Sequence, residues 1–453
     1  MKVIIVGCGK VGYTLAETLS NEGHDITVVD SSAQKLEGLA NSLDVQCVTG
    51  NGASYRVLEE AGVSQCDLVI AATSSDEVNM LCCLIARKAG HCRTIARVRN
   101  PEYSESLRFI QDDLGLSMAI NPEYSAAIAC YHLIRTPGAV DLDPFAKGRA
   151  QIITMDLPQN SAWAGRSLME VSRASSVPFL LSIIMRNKSV LIPDGSTVLR
   201  GGDRISLILD MKHMATVMRR IGIQTRPIKS VLIIGGDTMG YYLARKLTEA
   251  HIKVKLIEPD RDRCLELSDL LPRATIINGV PTDERLLLEE GISSTDAVCA
   301  LLQSDVENIM IAVFASKRSS AKVITRINKA TFGGVVNELP IGSVITPKSL
   351  TAENIIRYVR TMRRPHLDSD IEYVYQLAGG KVEAVSFSIK SECRLTGTPI
   401  RDLPIRKGVL ISAIIRQNNV IIPSGQDQIL PKDEVIIVTT RCGISDISDI
   451  LKQ

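Results

Sequence analysis

The chain has 453 residues, enough for roughly three domains at about 150 residues each, and 45% of it is apolar while only 4% is aromatic. Its apolar runs stop well short of the about 18 residues that a membrane helix needs, and strand-like sequence begins directly after Met1-Lys2, which leaves no room for a secretory leader and points to the cytosol. The 52 basic and 50 acidic residues cancel to +2, too weak a field to hold a nucleic-acid backbone, and the eleven scattered cysteines, without a Cys-x-x-Cys pair, read as reduced and mostly buried thiols.

The first predicted strand covers 2–6, and Gly7-Cys8-Gly9-Lys10-Val11-Gly12 joins it to a helix predicted over 13–21. The amides at a helix start have no partner within the helix, so a glycine loop between strand and helix forms a cradle for phosphate. Gly7 permits the tight turn, Gly9 lets a pyrophosphate approach, and Gly12 lets helix and strand touch; Lys10 adds a positive charge. The next strand, 26–29, ends at Asp30, 18 residues after Gly12. An acid there accepts hydrogen bonds from ribose hydroxyls and repels a 2′-phosphate, which favours NAD or a simple adenine nucleotide over NADP. Further strands at 46–48, 68–71 and 94–98 alternate with helical stretches, the pattern of a parallel, doubly wound sheet. The loops that follow them leave one edge of that sheet: Gly50-Asn51-Gly52, Thr73-Ser74-Ser75-Asp76 and Arg97-Val98-Arg99-Asn100. Thr73 and Ser74 suit a ribose or phosphate, and Arg97 or Arg99 suits phosphate oxygens, although each also fits a plain turn or cap. Ser74 with Glu77 has capping-box spacing, and Asn121-Pro122-Glu123 places a cap and a first-turn proline before another helix.

From about 145 to 222, short β-branched runs (151–155, 190–193, 204–209) separated by Gly, Pro and Asp predict a small α+β module, with Asp203 as a turn residue before its last strand. The chain then repeats itself. Gly12 and Gly240 stand 228 residues apart, as do Asp30 and Glu258; Asp67 and Asp296, Asp76 and Asp305, Asn79 and Asn308, and Arg97 and Arg326 stand 229 apart; Asp203 and Asp433 stand 230 apart. Ser304 and Glu307 keep the cap spacing. Apolar residues at helical spacing after Pro122 (Ile128, Tyr131, Ile134) and after Pro347 (Ile355, Tyr358, Val359) mark connecting helices that either fill a core or swap between lobes or subunits. The second glycine loop, Gly235-Gly236-Asp237-Thr238-Met239-Gly240, departs from the first, because Asp237 stands where the close-approach glycine belongs. Gly235, Gly240 and Glu258 keep their places, but a carboxylate aimed at the pyrophosphate predicts a weak or empty second pocket.

The loop at 7–12, Asp30, Ser-Ser-Asp-Glu-Val-Asn at 74–79, Ile-Ala-Arg-Val-Arg at 95–99 and the duplicated module together resemble the TrkA family, peripheral subunits of bacterial Trk potassium-uptake systems made of two tandem RCK (regulator of potassium conductance) units. The resemblance covers nearly the whole chain. It implies an α/β fold of two tandem repeats, each a Rossmann-like doubly wound parallel-sheet lobe followed by a small α+β C-lobe: N-lobe 1 at 1–122, C-lobe 1 at 140–222, N-lobe 2 at 228–346 and C-lobe 2 at 366–450. It also implies a non-catalytic chain, cytoplasmic and peripheral on the inner face of the cell membrane, assembled as a homo-oligomeric tetramer ring under an integral membrane channel subunit for potassium or sodium. The site set that follows is Gly7, Cys8, Gly9, Lys10, Val11, Gly12, Asp30, Asn51, Gly52, Thr73, Ser74 and Arg97, holding NAD(H) or ATP/ADP as regulatory ligand, while carry-over to the second lobe halts at Asp237. Whether a C-lobe binds a second messenger stays open. Two other classes remain. An NAD-dependent oxidoreductase needs an acid, base or cation beside the nicotinamide, and the C-lobes are small and poor in such groups; Tyr242 and Lys246 have reductase spacing but follow directly on the second glycine loop, and the six histidines form no metal-spaced pair. A nucleotide-binding scaffold without a channel partner is the other.

Overall fold

The computed structural model describes the chain apart from residues 104–108, 110, 146–149, 188, 224–225, 329–338, 363–368, 379–380, 418, 441–443, 445 and 453. The expected start of C-lobe 2 at 366, and His366, lie outside the described residues. Among the described residues no helix is long and apolar enough to cross a membrane.

Strands β1 (Lys2–Val6), β2 (Asp25–Asp30), β3 (Gln46–Thr49), β4 (Leu68–Ala71), β5 (Arg93–Arg97) and β6 (Met118–Ile120) form one parallel sheet in the order β3-β2-β1-β4-β5-β6. Helices α1 (Lys10–Asn21), α2 (Ala33–Ala40), α3 (Tyr55–Glu60), α4 (Asp76–Gly90) and α5 (Pro122–Arg135) complete this part. The central strands are continuous apolar runs because both of their faces are covered, and every residue of β4 is buried. The order reverses between β1 and β4, so the chain leaves their carboxyl ends in opposite directions and opens a crevice there. Strand β6 escapes sequence reading because three residues are too few to display a period.

Two local expectations need correction. Helix α1 begins at Lys10 rather than at 13, with Gly9 as its cap residue, so Lys10, Val11 and Gly12 form its first turn. The cap of α4 is Ser75 rather than Ser74: its Oγ accepts from the Val78 amide at 3.2 Å and donates to Glu77 Oε2 at 2.6 Å. The offset that pairs Asp76 with Asp305 pairs Ser75 with Ser304, whose Oγ accepts from the Glu307 amide at 3.4 Å. Asn121 caps α5 as expected, its Oδ1 accepting from the Tyr124 amide at 2.9 Å.

The first C-lobe carries β7 (Asp141–Phe145), β8 (Ala150–Asp156), α6 (Leu168–Ala174), β9 (Phe179–Arg186), β10 (Ser189–Leu191), β11 (Arg204–Leu209) and α7 (Met214–Ile221), with the antiparallel order β10-β9-β11-β8-β7. The second repeat follows the same plan with β12 (Ser230–Ile234), α8 (Thr238–Glu249), β13 (Lys253–Glu258), α9 (Arg261–Leu270), β14 (Thr275–Asn278), α10 (Glu284–Glu289), β15 (Ala297–Ala300), α11 (Asp305–Arg318), β16 (Lys322–Arg326), β17 (Ser343–Ile345) and α12 (Pro347–Thr361). Its parallel sheet runs β14-β13-β12-β15-β16-β17. Strands β18 (Ser369–Leu377), β19 (Val382–Ile389), β20 (Val409–Arg416), β21 (Asn419–Ile421) and β22 (Glu434–Thr439) make the last sheet, ordered β18-β19-β22-β20-β21.

Contacts divide the chain into two compact units, and each takes a lobe from both repeats: Met1–Tyr131 with Ile228–Ile356, and His132–Pro227 with Arg357–Gln453. Within the first unit the connecting helix α5 crosses to the other repeat. Cys130, on the α5 stripe that buries Ala126 and Ala127, lies beside Cys299 of β15, and both thiols are fully buried. Of the expected stripe Ile134 is buried while Ile128 and Tyr131 are half-buried, and in the matching helix Ile355 and Val359 are buried. Every described cysteine is a free thiol, and most are buried.

Asp203 and Asp433 do more than shape turns. Asp203 is 2% exposed, and Arg186 donates to it from Nε and Nη2 at 2.7 Å each while the Arg200 amide donates at 2.8 Å. Asp433 is held alike, by Arg416 from Nε and Nη2 at 2.8 Å each and by the Leu430 amide at 2.8 Å. Burial pushes the Asp203 carboxyl up, but the Arg186 fork and the Arg200 amide outweigh it and hold the group below its ordinary value. Arg186→Leu strands that carboxylate, which should cost about 3 kcal/mol, read as a lower urea midpoint for the unit that contains it. Because the folded value lies below the unfolded one, the fork's contribution is present above the unfolded carboxylate value, near 3.9, and fades as pH falls through the folded one. The wild-type advantage over the variant should therefore shrink in acid.

Candidate functional site

The two glycine loops share a backbone. Gly7 and Gly235 hold φ of 105° and 114°, a region closed to most side chains. A Cβ on Gly12 would stand 1.9 Å from the Gly7 carbonyl oxygen and one on Gly240 2.1 Å from that of Gly235, so helix and turn touch in both repeats. The acid at the end of the second strand fastens each loop. Asp30 accepts from the Cys8 amide at 2.6 Å with Oδ2 and from the Ser32 amide at 2.9 Å with Oδ1. Glu258 accepts from the Gly236 amide at 2.7 Å and the Asp260 amide at 3.1 Å. A carboxylate oxygen accepts more than one hydrogen bond, so both acids retain capacity for ribose hydroxyls.

The helix starts differ. Gly9 is exposed, has no side chain to cap α1, and a Cβ placed on it would meet nothing within 4 Å. The first-turn amides of Lys10, Val11 and Gly12 thus face open space with the positive end of the helix dipole. In the second repeat Asp237 caps α8, Oδ1 accepting from the Met239 and Gly240 amides at 3.0 and 3.1 Å. Its Oδ2 meets Arg326 Nη1 at 2.5 Å and Gln303 Nε2 at 2.7 Å. Sequence reading aimed this carboxylate at a ligand; it serves instead as the anion that α8 and Arg326 require. Arg326 is 5% exposed, and its Nη2 also donates to Gln303 Oε1 at 3.1 Å. Its counterpart Arg97 donates to the Thr73 carbonyl, while its buried Nε has no partner. Burial and the neighbouring Arg99 charge push the Arg97 guanidinium down, with Glu123 and Asp76 opposing them.

The remaining expected ligands fall into place unevenly. Asn51 is exposed and closes an Asx turn, Oδ1 accepting from the Ala53 amide at 2.9 Å. A Cβ on Gly52 would strike Val6 Cγ1 at 2.1 Å, so this glycine exists for close packing on β1. Val11 is a core residue and brings only its amide to the loop. The Thr73 hydroxyl donates to Asn79 Oδ1 at 2.7 Å, and Ser74 lends its carbonyl to Arg99. Two organisers were absent from the expected set. Asn79 is fully buried, accepts from the Thr73 amide at 2.8 Å and donates to the Arg97 carbonyl at 2.8 Å, tying the loop after β4 to that after β5. Asn308 does the same for Leu302 and Arg326 at 2.8 and 3.0 Å. Asp76 accepts from the Arg99 and Asn100 amides at 2.7 and 2.8 Å. Their signal was in the sequence, since both belong to the repeated pairs.

Lys10 looks outward to the other repeat. Lys348, in the first turn of α12, lies against it, and burial, the Lys10 ammonium and Arg326 push the Lys348 ammonium down to about 8. Lys348 thus feels the charges of Lys10, of Arg326, which is itself paired with Asp237, and of Asp305, which acts in the opposite sense.

The TrkA-N domain matches residues 3–122 and 231–347, and the TrkA-C domain matches 152–222 and 384–452. The chain belongs to the TrkA family. Among curated members of this family, the "Trk system potassium uptake protein TrkA homolog" of Archaeoglobus fulgidus is 32% identical over 453 residues and 100% of both chains, and the "Trk system potassium uptake protein TrkA" of Halomonas elongata is 33% identical over 459 residues, covering 100% of this chain and 99% of its own. This is a family of regulatory subunits rather than enzymes. The solved GsuK channel superposes with a TM-score of 0.65 at 17% identity over 97% of this chain and 76% of that one. The GsuK channel bound to NAD gives 0.63 at 18% over the same shares. At such identity these structures speak for the fold alone: two tandem RCK units.

Burial of Lys348, with the Lys10 and Arg326 charges adding to it, gives a pH signature. In the folded chain its value lies below that of a free lysine, so folding carries a cost while the group is charged, and the cost is relieved as pH rises from about 8 toward the unfolded value near 10.4. Lys348→Gln should therefore melt higher than wild type at pH 7 in dilute buffer, with the gap closing by pH 10. Equal melting temperatures at pH 7 would contradict a cost of holding the Lys348 charge in the fold.

Proposed function

We propose that this chain is the cytoplasmic, nucleotide-sensing subunit of a Trk-type potassium uptake channel, lying against the inner face of the membrane with N-lobes at 1–122 and 228–346 and C-lobes at 140–222 and 366–450. The observation that carries the sensing is the contrast between the two helix starts. Above Gly9 the amides of α1 face unfilled space beside Asp30, whereas at the matching place the Asp237 carboxylate already occupies α8 and Arg326. The first repeat therefore takes an adenine nucleotide, NAD(H) or ATP/ADP, and the second supplies its own anion. In the bound state the pyrophosphate lies over the amides of Gly9 to Gly12, beside the Cys8 amide that Asp30 holds, Asp30 takes the ribose hydroxyls with its remaining capacity, and Asn51, Gly52, Thr73, Ser74 and Arg97 border the ligand. Gly235, Gly240 and Glu258 preserve the outline of a second cradle without its capacity. Support for the channel partner comes from the full-length similarity to TrkA potassium uptake proteins.

Lys10, Lys348 and Arg326 carry the mechanism across the two N-lobes. Phosphate charge brought near Lys10 relieves the repulsion that Lys348 feels, so ligands of different charge favour different spacings of the two lobes. A gate follows only if the ligand prefers one spacing, and a coupling of about 1–3 kcal/mol is typical of such regulation. A ring of identical chains, a tetramer, would carry that spacing to the pore for potassium or sodium.

Calorimetry should find one adenine-nucleotide site per chain, with NADP weaker than NAD. Asp30→Ala should weaken binding by about tenfold or more, as expected for the loss of charge-assisted hydrogen bonds worth about 1.5–3 kcal/mol. Asp237→Gly should melt lower than wild type without ligand, because Arg326 loses its partner, yet gain a second nucleotide site. Two equal sites in the wild type would remove the asymmetry, and failure to co-purify with a potassium-transporting membrane protein would remove the channel.

A further inference from the structure

The cradle lies at the carboxyl ends of the first parallel sheet, and the opposite end of that sheet carries two neighbouring thiols. Cys66 follows the 3-10 turn Val63–Gln65 and leads into β4, while Cys92 follows α4 and leads into β5. The two strands pair in parallel with Leu68 beside Arg93, and the Arg93 amide donates to the Asp67 carbonyl at 3.1 Å. Cys92 is therefore level with Asp67, one residue from Cys66. Paired strands lie about 4.8 Å apart and a disulfide spans about 4.4–6.8 Å between Cα atoms, so the two backbones already run at bridging distance. Both approaches are held. A Cβ on Gly90 would meet the Val63 carbonyl oxygen at 2.0 Å, and Arg87 Nη1 donates to the His91 and Cys92 carbonyls at 3.0 and 3.3 Å.

The side chains converge as well. Both sulfurs enter one core cluster, with Cys66 Sγ 3.2 Å from the Val63 carbonyl oxygen and Cys92 Sγ 3.6 Å from that of Ala86, and the two thiols are hydrogen-bond neighbours of each other. That contact holds the Cys92 thiol below its ordinary value against its burial, with Arg87 adding to the effect, and the same contact together with burial pushes the Cys66 thiol up. Each lies just under the surface: Cys66 is 8% and Cys92 5% exposed, and Gln65, Asp67, His91 and Arg93 beside them are exposed. The second repeat has neither thiol. At the 229-residue offset Thr295 and Ala321 take their places, although Asp67 and Asp296 still match.

We propose that Cys66 and Cys92 are a redox modification site that closes to a disulfide when a peroxide reaches the first N-lobe. Disulfides in reducing compartments are typically transient and redox-sensing. The Cys92 thiolate attacks one peroxide oxygen, the O–O bond breaks, and the leaving hydroxide takes a proton to become water, which leaves a sulfenic acid on Cys92. Cys66 then gives up its proton and attacks the Cys92 sulfur; the S–O bond breaks and a second water departs. Two thiols have lost two electrons and one peroxide has gained them. The bridge encloses β4 and α4 in a covalent loop, and α4 bears Asp76 and Asn79, which hold the loops beside the cradle. The inference does not rest on the nucleotide reading, since the bridge is measured without nucleotide.

The test treats the reduced full-length chain with graded hydrogen peroxide, alkylates the remaining thiols and maps the products by mass spectrometry without reduction. Trypsin alone leaves Cys66, Cys82 and Cys83 on one peptide, so an aspartate-directed protease is added to separate them. The expected product is a single cross-link between Cys66 and Cys92, lighter by two hydrogens and reversed by dithiothreitol, while the wholly buried Cys82 and Cys83 stay reduced. In Cys66→Ser the link should vanish and dimedone should capture a sulfenic acid on Cys92; in Cys92→Ser both signals should be lost. Wild-type mapping decides the matter even if either variant folds poorly. No link between Cys66 and Cys92 at peroxide levels that preserve the native melting transition, or a link that runs through Cys82 or Cys83 instead, overturns the proposal.

Discussion

An α-helix starts with amides that its own backbone cannot satisfy, and where the start is held against a sheet edge by a glycine turn, those amides favour an acceptor that carries negative charge. That preference organises both halves of this chain. Gly7 and Gly235 fix the turn, Gly12 and Gly240 bring helix against turn, and Asp30 and Glu258 fasten the loop from the neighbouring strand. What differs is who supplies the charge. In the second repeat a side chain does so from within, and its other oxygen neutralises a guanidinium that would otherwise be buried alone. In the first repeat the amides remain available and the equivalent guanidinium turns to a carbonyl. One atom set is thus complete without a visitor, and the other is not.

This division suits a regulator better than two equal sites would. On the proposed reading, the lobe that carries its own anion would not respond to nucleotide supply and would serve as a fixed reference for the other. Lys348 is held below its ordinary value by burial first and by the Lys10 and Arg326 charges second, and added negative charge nearby would favour its charged form. No acid or base need be aligned with a reacting bond for that work.

Much of this was legible in the sequence. Glycine spacing, the acid after the second strand and the offset between the repeats locate both cradles, because each reflects a strict local demand on the backbone. The reach of that reading ends where contacts become long-range. Asp237 was visible as a misplaced carboxylate, and its cap on the Met239 and Gly240 amides is local, but its ion pair needs the position of Arg326, 89 residues further on. Thr73 and Ser74 resembled ligands because their types suit phosphates; only the fold reveals that Asn79 claims one and that the cap is the next serine. Asp203 read as a turn residue since nothing in its neighbourhood announces the guanidinium brought over by the preceding hairpin. The strand at Met118–Ile120 is defined by its pairing with β5 rather than by any pattern of its own.

The crossing of α5 to the other repeat imposes an order on biosynthesis. Cys130, with Ala126 and Ala127, belongs to an apolar stripe, and the strand that receives the thiol contains Cys299, about 170 residues later. At a ribosomal pace of about 5–20 residues per second, that stripe spends roughly ten to thirty seconds without its destination. The newborn first half therefore carries that stripe without its native cover until the second repeat has been made.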